Sequence, residues 1–419
     1  MSPQRQRPEY QAVRERLYGS MREEGTFTWD MMYGEEYALA GLHRADAGAL
    51  REIRQAAASL GAVIAKTVGV IQQADDTLLL ELGIPHQALG ACRISVERVQ
   101  PTVIGRFDFA VTRQGVKMLE FNSDTPTGIV EAFYANSRIC SYYGAEDPNR
   151  GMEAMFRGAF ERIVDAYRDE GRATGRIVFS SLDWHEEDAG TTRYLLRQSG
   201  LAGTFVPLSE LRVQDDLLKA PGADGQLQPV DVLYRLHALE KLAEECDEDG
   251  YPTGAHVLDL IARRRLAVIN PPSGFVAQTK ALQALIWSLH ESGEFYDPEE
   301  QEAIEAYMLP TYLDRRPLAG QAYVQKPIFG REGGGVAIYD PGGDLAEKDA
   351  EPLYWDQPAV FQQYTELPDI EMETLDGLRR GKLLWGCFYI GGEPSAVIAR
   401  MGGRITNNMS YYVPVGAAD

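Results

Sequence analysis

A chain of 419 residues, 44% hydrophobic and 25% charged, is long enough for two or three lobes with sizeable cores and is neither disordered nor fibrous. Its 62 acidic against 41 basic residues leave a net charge of −21, a surface that repels phosphate backbones and argues against duplex DNA or RNA as a partner. Cys92, Cys140, Cys246 and Cys387 are scattered without CxxC spacing, against both a disulfide framework and a zinc site.

The first residues are polar and lack the apolar core of a signal peptide. Residues 1–30 read as an N-terminal extension ahead of a catalytic region over 31–419. Between 37 and 73 apolar residues recur at three and four, which predicts one long helix or two shorter ones. The best membrane candidate within it, 60–71, is short and interrupted by Lys66, so cytoplasmic residence without a membrane is the expectation.

Between 106 and 124 polar and apolar residues alternate on both sides of Gln114-Gly115, the period-two pattern of paired strands. With a three-residue loop, 113–115, and Gly115 left-handed, Asp108 lies opposite Glu120 and Arg106 opposite Asn122. These four then share one face, and Phe107, Phe109, Leu119 and Phe121 the other. Facing carboxylates repel. A divalent cation between them removes that objection, and carboxylate and amide oxygens suit Mg²⁺, which keeps water and phosphate oxygens as its other ligands. A solvated polar face with a chance pairing is the alternative.

Helical patterns follow at 128–143 and 151–169. Strands at 176–180, 204–207, 230–236 and 266–270 alternate with helices at 190–199 and 256–264, an α/β sheet with parallel order. The polar stretch 213–228 reads as a loop. After Pro271-Pro272 one helix is predicted from 274 to 291 on the stripe Phe275, Leu282, Leu285, Ile286 and Leu289, with Lys280 facing solvent by default. Strand-like runs at 321–326, 335–339, 358–364, 383–390 and 394–400, joined by glycine-rich turns, predict a largely antiparallel C-terminal lobe.

Three segments of this last third carry polar groups that ask for a reason. A strand ending in Lys326 runs into a loop with Gly330, Arg331, Gly333, Gly334 and Gly335. Glycines let backbone N–H groups approach phosphate oxygens and a lysine supplies the compensating charge, although the Walker order is absent and a plain hairpin turn needs flexible residues too. The apolar strand ending in Gln362, Gln363 and Tyr364 suits a hinge that reads an adenine edge, or core alone. Arg400 closes an apolar strand, which is expensive unless the guanidinium meets an anion or reaches solvent past Gly402. The histidines are dispersed, and no GxSxG elbow or zinc-protease helix is present.

In order and spacing, Tyr33-Gly34-Glu35, Arg106-x-Asp108, Glu120-x-Asn122-x-Asp124-Thr125-Pro126-Thr127, Asn270-Pro271, Lys280, the Lys326 to Arg331 run, Gln362-Gln363 and Arg400 resemble the glutathionylspermidine synthase family. The likeness is to its short form, without an N-terminal amidase domain. It implies an α/β fold of the ATP-grasp ligase type, mixed lobes with an antiparallel C-terminal ATP-binding lobe. It also implies ATP-dependent joining of a carboxylate to an amine through an acyl phosphate, with ADP released. Asp108, Glu120 and Asn122 match the metal ligands for Mg²⁺, a pair of ions, and Arg106 and Arg400 match catalytic arginines. Lys280, Lys326, Gly330, Arg331, Gly333, Gly334, Gln362, Gln363 and Tyr364 fall at ATP. The implied partners are a small, peptide-like acid and a small amine, with the oligomeric state open, a homodimer included. Two departures bear on substrates: Met401-Gly402-Gly403 follows Arg400 where acids are expected, and Thr125 and Thr127 stand for serines. A nucleotide-binding protein of the same fold that has lost ligation and acts in regulation, and a small-molecule kinase, are the competing expectations.

Overall fold

The computed structural model, which describes residues 8–96, 101–331, 333–350 and 354–418, sets the alternating hairpin inside a six-stranded antiparallel sheet. Its strands Ile104–Thr112 and Gly115–Asn122 pair with Gly377–Ile390, and the sheet continues through Glu393–Gly402 to Tyr411–Val413. Asp369–Thr374 joins the other half of Gly377–Ile390. The runs at 383–390 and 394–400, read as part of a C-terminal lobe, therefore belong to this central sheet. They lie buried on both faces, because helix Ala47–Ile71 covers one side while Phe388, Ile390, Ala396 and Ile398 pack on the other with Ile129, Phe133 and Phe156. That helix buries Leu50, Ile53, Leu60, Ile64 and Val68, each worth roughly 1.5–3 kcal/mol relative to exposure.

Within the hairpin Asp108 faces Glu120 and Arg106 faces Asn122, the predicted partners reached by a different route. The turn holds only Arg113 and Gln114, since Thr112 pairs with Gly115, whose φ is 104°. A β-bulge beyond the Asp108–Glu120 pair then supplies the offset that a longer loop would have given. The bulge also changes the faces. Met118 rather than Leu119 joins Phe107, Phe109 and Phe121 in the core, and Leu119 turns to the other side against Ala110, Leu367 and Leu384.

The predicted alternation forms a parallel sheet in the order Ala267–Ile269, Val232–Leu236, Ile177–Ser181, Gly203–Phe205. Helices Glu186–Ser199 and Thr253–Ala262 make its crossovers. The stretch 213–228, expected as a loop, is a small antiparallel sheet of Arg212–Gln214, Leu217–Pro221 and Leu227–Pro229. Only Leu218 and Ala220 of it are buried, too little alternation to read. A five-stranded antiparallel sheet, Thr311–Tyr312, Ala359–Gln363, Tyr323–Pro327, Ala337–Tyr339 and Leu345–Lys348, lies against the Asp108 face of the central sheet.

The helix expected over 274–291 is two, Pro272–Gln278 and Lys280–Ser292. Thr279 between them is extended, and its hydroxyl accepts the Ala281 N–H as an N-cap. The break puts Lys280 in the first helical turn and aims it inward, only 5% exposed. A cation at a helix N-terminus opposes the helix dipole and calls for an anion beside it.

Residues 1–30 are not an extension where they are described. Helix Pro8–Glu23 buries Tyr10, Leu17, Tyr18 and Met21, and its Arg14 donates to Asp30 and Glu36, both at 2.7 Å. Trp29 is buried and donates to Glu131 at 2.8 Å. An apolar stripe carried by tyrosine and methionine among many charges hid this helix from its periodicity. Among the described residues no helix is long and apolar enough to cross a membrane.

Candidate functional site

Two cations answer the repulsion of the facing carboxylates. Arg106 grips Asp108 in a bidentate pair, Nε to Oδ1 at 2.6 Å and Nη2 to Oδ2 at 2.9 Å. Its remaining nitrogen, Nη1, donates to the Thr127 carbonyl at 2.7 Å. Gly386 lies opposite Asp108 on the neighbouring strand, and its missing side chain gives the Arg106 stem its place: a Cβ there would stand 3.0 Å from Arg106 Cδ. Lys280 meets Glu120 at 3.1 Å and donates to the Gly330 carbonyl at 2.9 Å. Asn122 Nδ2 donates to Asp108 at 3.2 Å and to Glu120 at 3.4 Å, so the two carboxylates and the amide converge.

Burial opposes ionisation of Glu120, but Lys280 and Lys326 outweigh it and hold its pKa at about 2. For Asp108 burial wins and raises the carboxyl despite Arg106. Burial also brings Lys326 down to about 8, against the pull of Glu120. Lys326 donates to the Leu119 carbonyl at 3.0 Å, a carbonyl that the bulge presents, and to Gln362 Oε1 at 2.7 Å. Gln362 is fixed in turn by donating to Gln283 and Thr311, both at 3.2 Å.

These groups line one cavity between the central and five-stranded sheets. Its polar part comprises Asp108, Glu120, Lys280 and Lys326, with Gly330, Gly333 and Gly334 of the glycine loop. Its apolar part is a slot, with Leu119, Leu367 and Leu384 from one side and Val324, Val336 and Ile338 from the other. Gln362, Gln363 and Tyr364 lie along it. Sequence reasoning missed the wall formed by Arg404, Ile405 and Thr406. Arg404 donates to the Tyr364 hydroxyl at 3.1 Å and stacks over its ring. Gly333 sits against this wall at φ 75°, where a Cβ would stand 2.5 Å from the Thr406 carbonyl oxygen.

Arg106, Asn122, Arg331 and Arg400 fall outside the cavity lining. Arg331, placed at the nucleotide from sequence, turns instead to Thr125, which accepts from Nη1 at 2.8 Å, and to Glu240, which accepts from Nε at 2.9 Å. Its Nη2 is buried with no acceptor among the described residues. Arg400 donates to the Asn407 carbonyl at 2.6 Å, and its charge reaches Asp108 and Glu131, while its Nε is buried with no acceptor among the described residues. Two guanidinium groups with an unused N–H thus flank the hairpin face, an arrangement suited to an anion.

Buried amides hold the hairpin's outgoing end. Asn270 Oδ1 accepts the N–H groups of Val103 and Ile104 at 3.1 and 2.9 Å. Its Nδ2 donates to the carbonyls of Ile104, Ser123 and Asp124 at 2.8, 3.2 and 2.8 Å. Gln278 accepts from Ser123 and Asp124, and Arg235 clamps the Asp124 carboxylate at 2.6 and 3.0 Å. Asn270 stood in the family pattern; Gln278, Arg235 and Gly386 carried no separate signal.

Asp108 and Glu120 offer hard oxygens that suit Mg²⁺ sharing its shell with water and phosphate, and Asn122, whose Nδ2 faces them here, would add its Oδ1 with the amide turned over. Among the described residues no group of three or more His, Cys, Asp or Glu is gathered as a self-sufficient metal site.

The family described as glutathionylspermidine synthase preATP-grasp matches residues 10–417. A candidate acid–amine ligase of Haemophilus influenzae is 26% identical over 332 residues, covering 75% of this chain and 74% of that protein. The glutathionylspermidine synthase of Crithidia fasciculata is 25% identical over 328 residues, 71% of this chain but 43% of that protein, so the match spans less than half of the relative. The apo structure of a glutathione synthetase-like effector, GSS30, from Globodera pallida superposes with a TM-score of 0.60 at 12% identity, covering 97% of this chain and 98% of that one. The structural likeness is one of fold.

Proposed function

Since the chain belongs to the glutathionylspermidine synthase family, we propose that it is an ATP-grasp ligase that joins a small acid to a small amine and releases ADP and phosphate. The observation that carries this is the meeting of Lys280 and Lys326 at Glu120 and the glycine loop, in a cavity whose other part is an apolar slot. The slot suits a base and the ammonium groups suit a polyphosphate.

A carboxylate is a poor electrophile at neutral pH. Transfer of the γ-phosphoryl group to its oxygen gives an acyl phosphate and ADP. The amine then attacks the carbonyl carbon, the carbon–oxygen bond to phosphate breaks, and the nitrogen loses its proton to solvent. Lys280 and Lys326 offset charge on the transferring group, and Arg106 is held by Asp108 beside it. Arg331 and Arg400, each with an unused N–H, suit the carboxylate of the acid, with Thr125 and Thr127 close by. Mg²⁺ on Asp108, Glu120 and Asn122 would neutralise phosphate oxygens. Gly333, set close against the Thr406 carbonyl, would help to keep water from the acyl phosphate.

Release of ADP and phosphate is measured against a panel of acids and amines, with hydroxylamine as a trap. Release that needs both substrates, and a hydroxamate when hydroxylamine replaces the amine, is the expected result. ATP binding without turnover on any pair would show a protein that has lost ligation, and a phosphate ester without hydroxamate would show a kinase.

A further inference from the structure

Gln278, Thr279 and Lys280 join three parts of the molecule that meet at the lysine end of the cavity. Gln278 Oε1 accepts the N–H groups of Ser123 and Asp124 at 2.7 and 3.0 Å, in the turn that leaves the hairpin. The Lys280 backbone N–H donates to the Ile328 carbonyl at 3.1 Å and its ammonium to the Gly330 carbonyl at 2.9 Å. Lys280 is thus held by the glycine loop at both its ends. Between the two, Thr279 is fully buried and extended, with φ −64° and ψ 129°.

The Thr279 hydroxyl makes two bonds of opposite sense. It accepts the Ala281 N–H at 3.3 Å, the cap that starts helix Lys280–Ser292, and it donates to the Leu82 carbonyl at 2.8 Å. Leu82 ends the short helix Asp76–Glu81. Gly83 follows with φ 83°, and a Cβ there would stand 3.0 Å from Ile328 Cγ2. Phe275, four residues before the break, stacks on Phe329 at 4.8 Å. Thr279 is therefore anchored to the same packing that carries the start of the glycine loop.

That anchor decides where Lys280 points. The apolar stripe runs on through 279, so nothing local in the sequence demands a break. In an unbroken helix the Thr279 hydroxyl would turn back to the Phe275 carbonyl, and the Lys280 N–H would go to Val276. The buried carbonyls of Leu82 and Ile328 would then lose these donors, which is costly in the interior. The bonds to remote carbonyls hold the break open.

We propose that Thr279 is a positioning residue for nucleotide, acting through Lys280: its hydroxyl fixes the break that lays the ammonium between Glu120 and Gly330. This rests on the ligase reading, in which Lys280 meets ATP. Valine has the shape of threonine and its liking for extended backbone but lacks the hydroxyl. Serine keeps the hydroxyl and lacks the methyl. The two substitutions separate a role in hydrogen bonding from one in packing.

Titration calorimetry of the full chain with AMP-PNP and Mg²⁺ compares wild type, T279V, T279S, K280M and T279V/K280M. T279V should weaken nucleotide by about tenfold, while T279S stays within about twofold of wild type. T279V/K280M should bind as K280M does, because the hydroxyl has no lysine left to place. Should T279V fail to fold, T279A takes its place. Wild-type affinity in T279V, a loss in T279S equal to that in T279V, or a further loss of about tenfold when T279V is added to K280M would overturn the proposal. No nucleotide binding by the wild type would overturn the ligase reading itself, and the proposal with it.

Discussion

Arg106 holds both carboxylate oxygens of Asp108, at 2.6 and 2.9 Å, two residues along one strand. Arg106 is 8% exposed and Asp108 4%. Removing one partner leaves the other charge buried and alone, at a cost of about 3–5 kcal/mol. D108A should therefore lose fold and activity together. Glu120 is less enclosed, and Lys280 keeps the Gly330 carbonyl when it is gone. E120Q should melt close to wild type while turnover falls by roughly 10²-fold or more. Thermal melts beside ADP release separate the two, and wild-type turnover in E120Q would remove Glu120 from the reacting centre.

Asn270 ties the first residues of the hairpin to the turn that leaves it, through contacts with five backbone groups. N270A strands those groups in the interior, where each unsatisfied one costs about 1–3 kcal/mol. Urea unfolding should show N270A destabilised by at least about 3 kcal/mol. A loss below about 1 kcal/mol would mean that water replaces the amide.

Gly333 takes φ 75° with the Thr406 carbonyl oxygen where a side chain would begin. G333A should push the glycine loop from the Arg404 wall and raise KM for ATP several-fold, with the melting temperature changed by only a few degrees. An unchanged KM would show that the loop does not close on nucleotide.

Burial holds the His43 imidazole below its ordinary 6.5. As pH falls through 6.5 the unfolded chain gains a proton that the folded chain refuses, so stability declines until the folded group titrates as well. H43Q lacks this term. Wild type should lose melting temperature relative to H43Q between about pH 7 and pH 5, and parallel curves would show that His43 does not titrate on unfolding.

The pairing of Asp108 with Glu120 was legible in the alternation of the hairpin, and so were the four parallel strands, because period-two and α/β patterns are local. The bulge at Leu119 was not: one extra residue in the pairing and one fewer in the turn leave the same partners opposite each other. Lys280 looked solvent-facing because an apolar stripe continues across Thr279, and only the cap shows the break. That Arg404 lines the cavity and Arg331 turns to Thr125 and Glu240 was hidden for a related reason. Direction of a long side chain depends on what packs beside it, and Thr125, Glu240 and Tyr364 are remote in sequence. Helix Pro8–Glu23 was lost to its own charge, since Arg14 is buried only by virtue of Asp30 and Glu36.

Gly377–Ile390 stands between the hairpin strand with Asp108 and the strand with Arg400. A ribosome adds that spacer long after the carboxylates have emerged. A nascent or prematurely terminated chain would bear Asp108 and Glu120 without the sheet that aligns them and without the arginine opposite. The hairpin face is therefore completed only by a chain that reaches through Arg400, and a fragment ending before Gly377 would lack the strand that holds the two carboxylates in line.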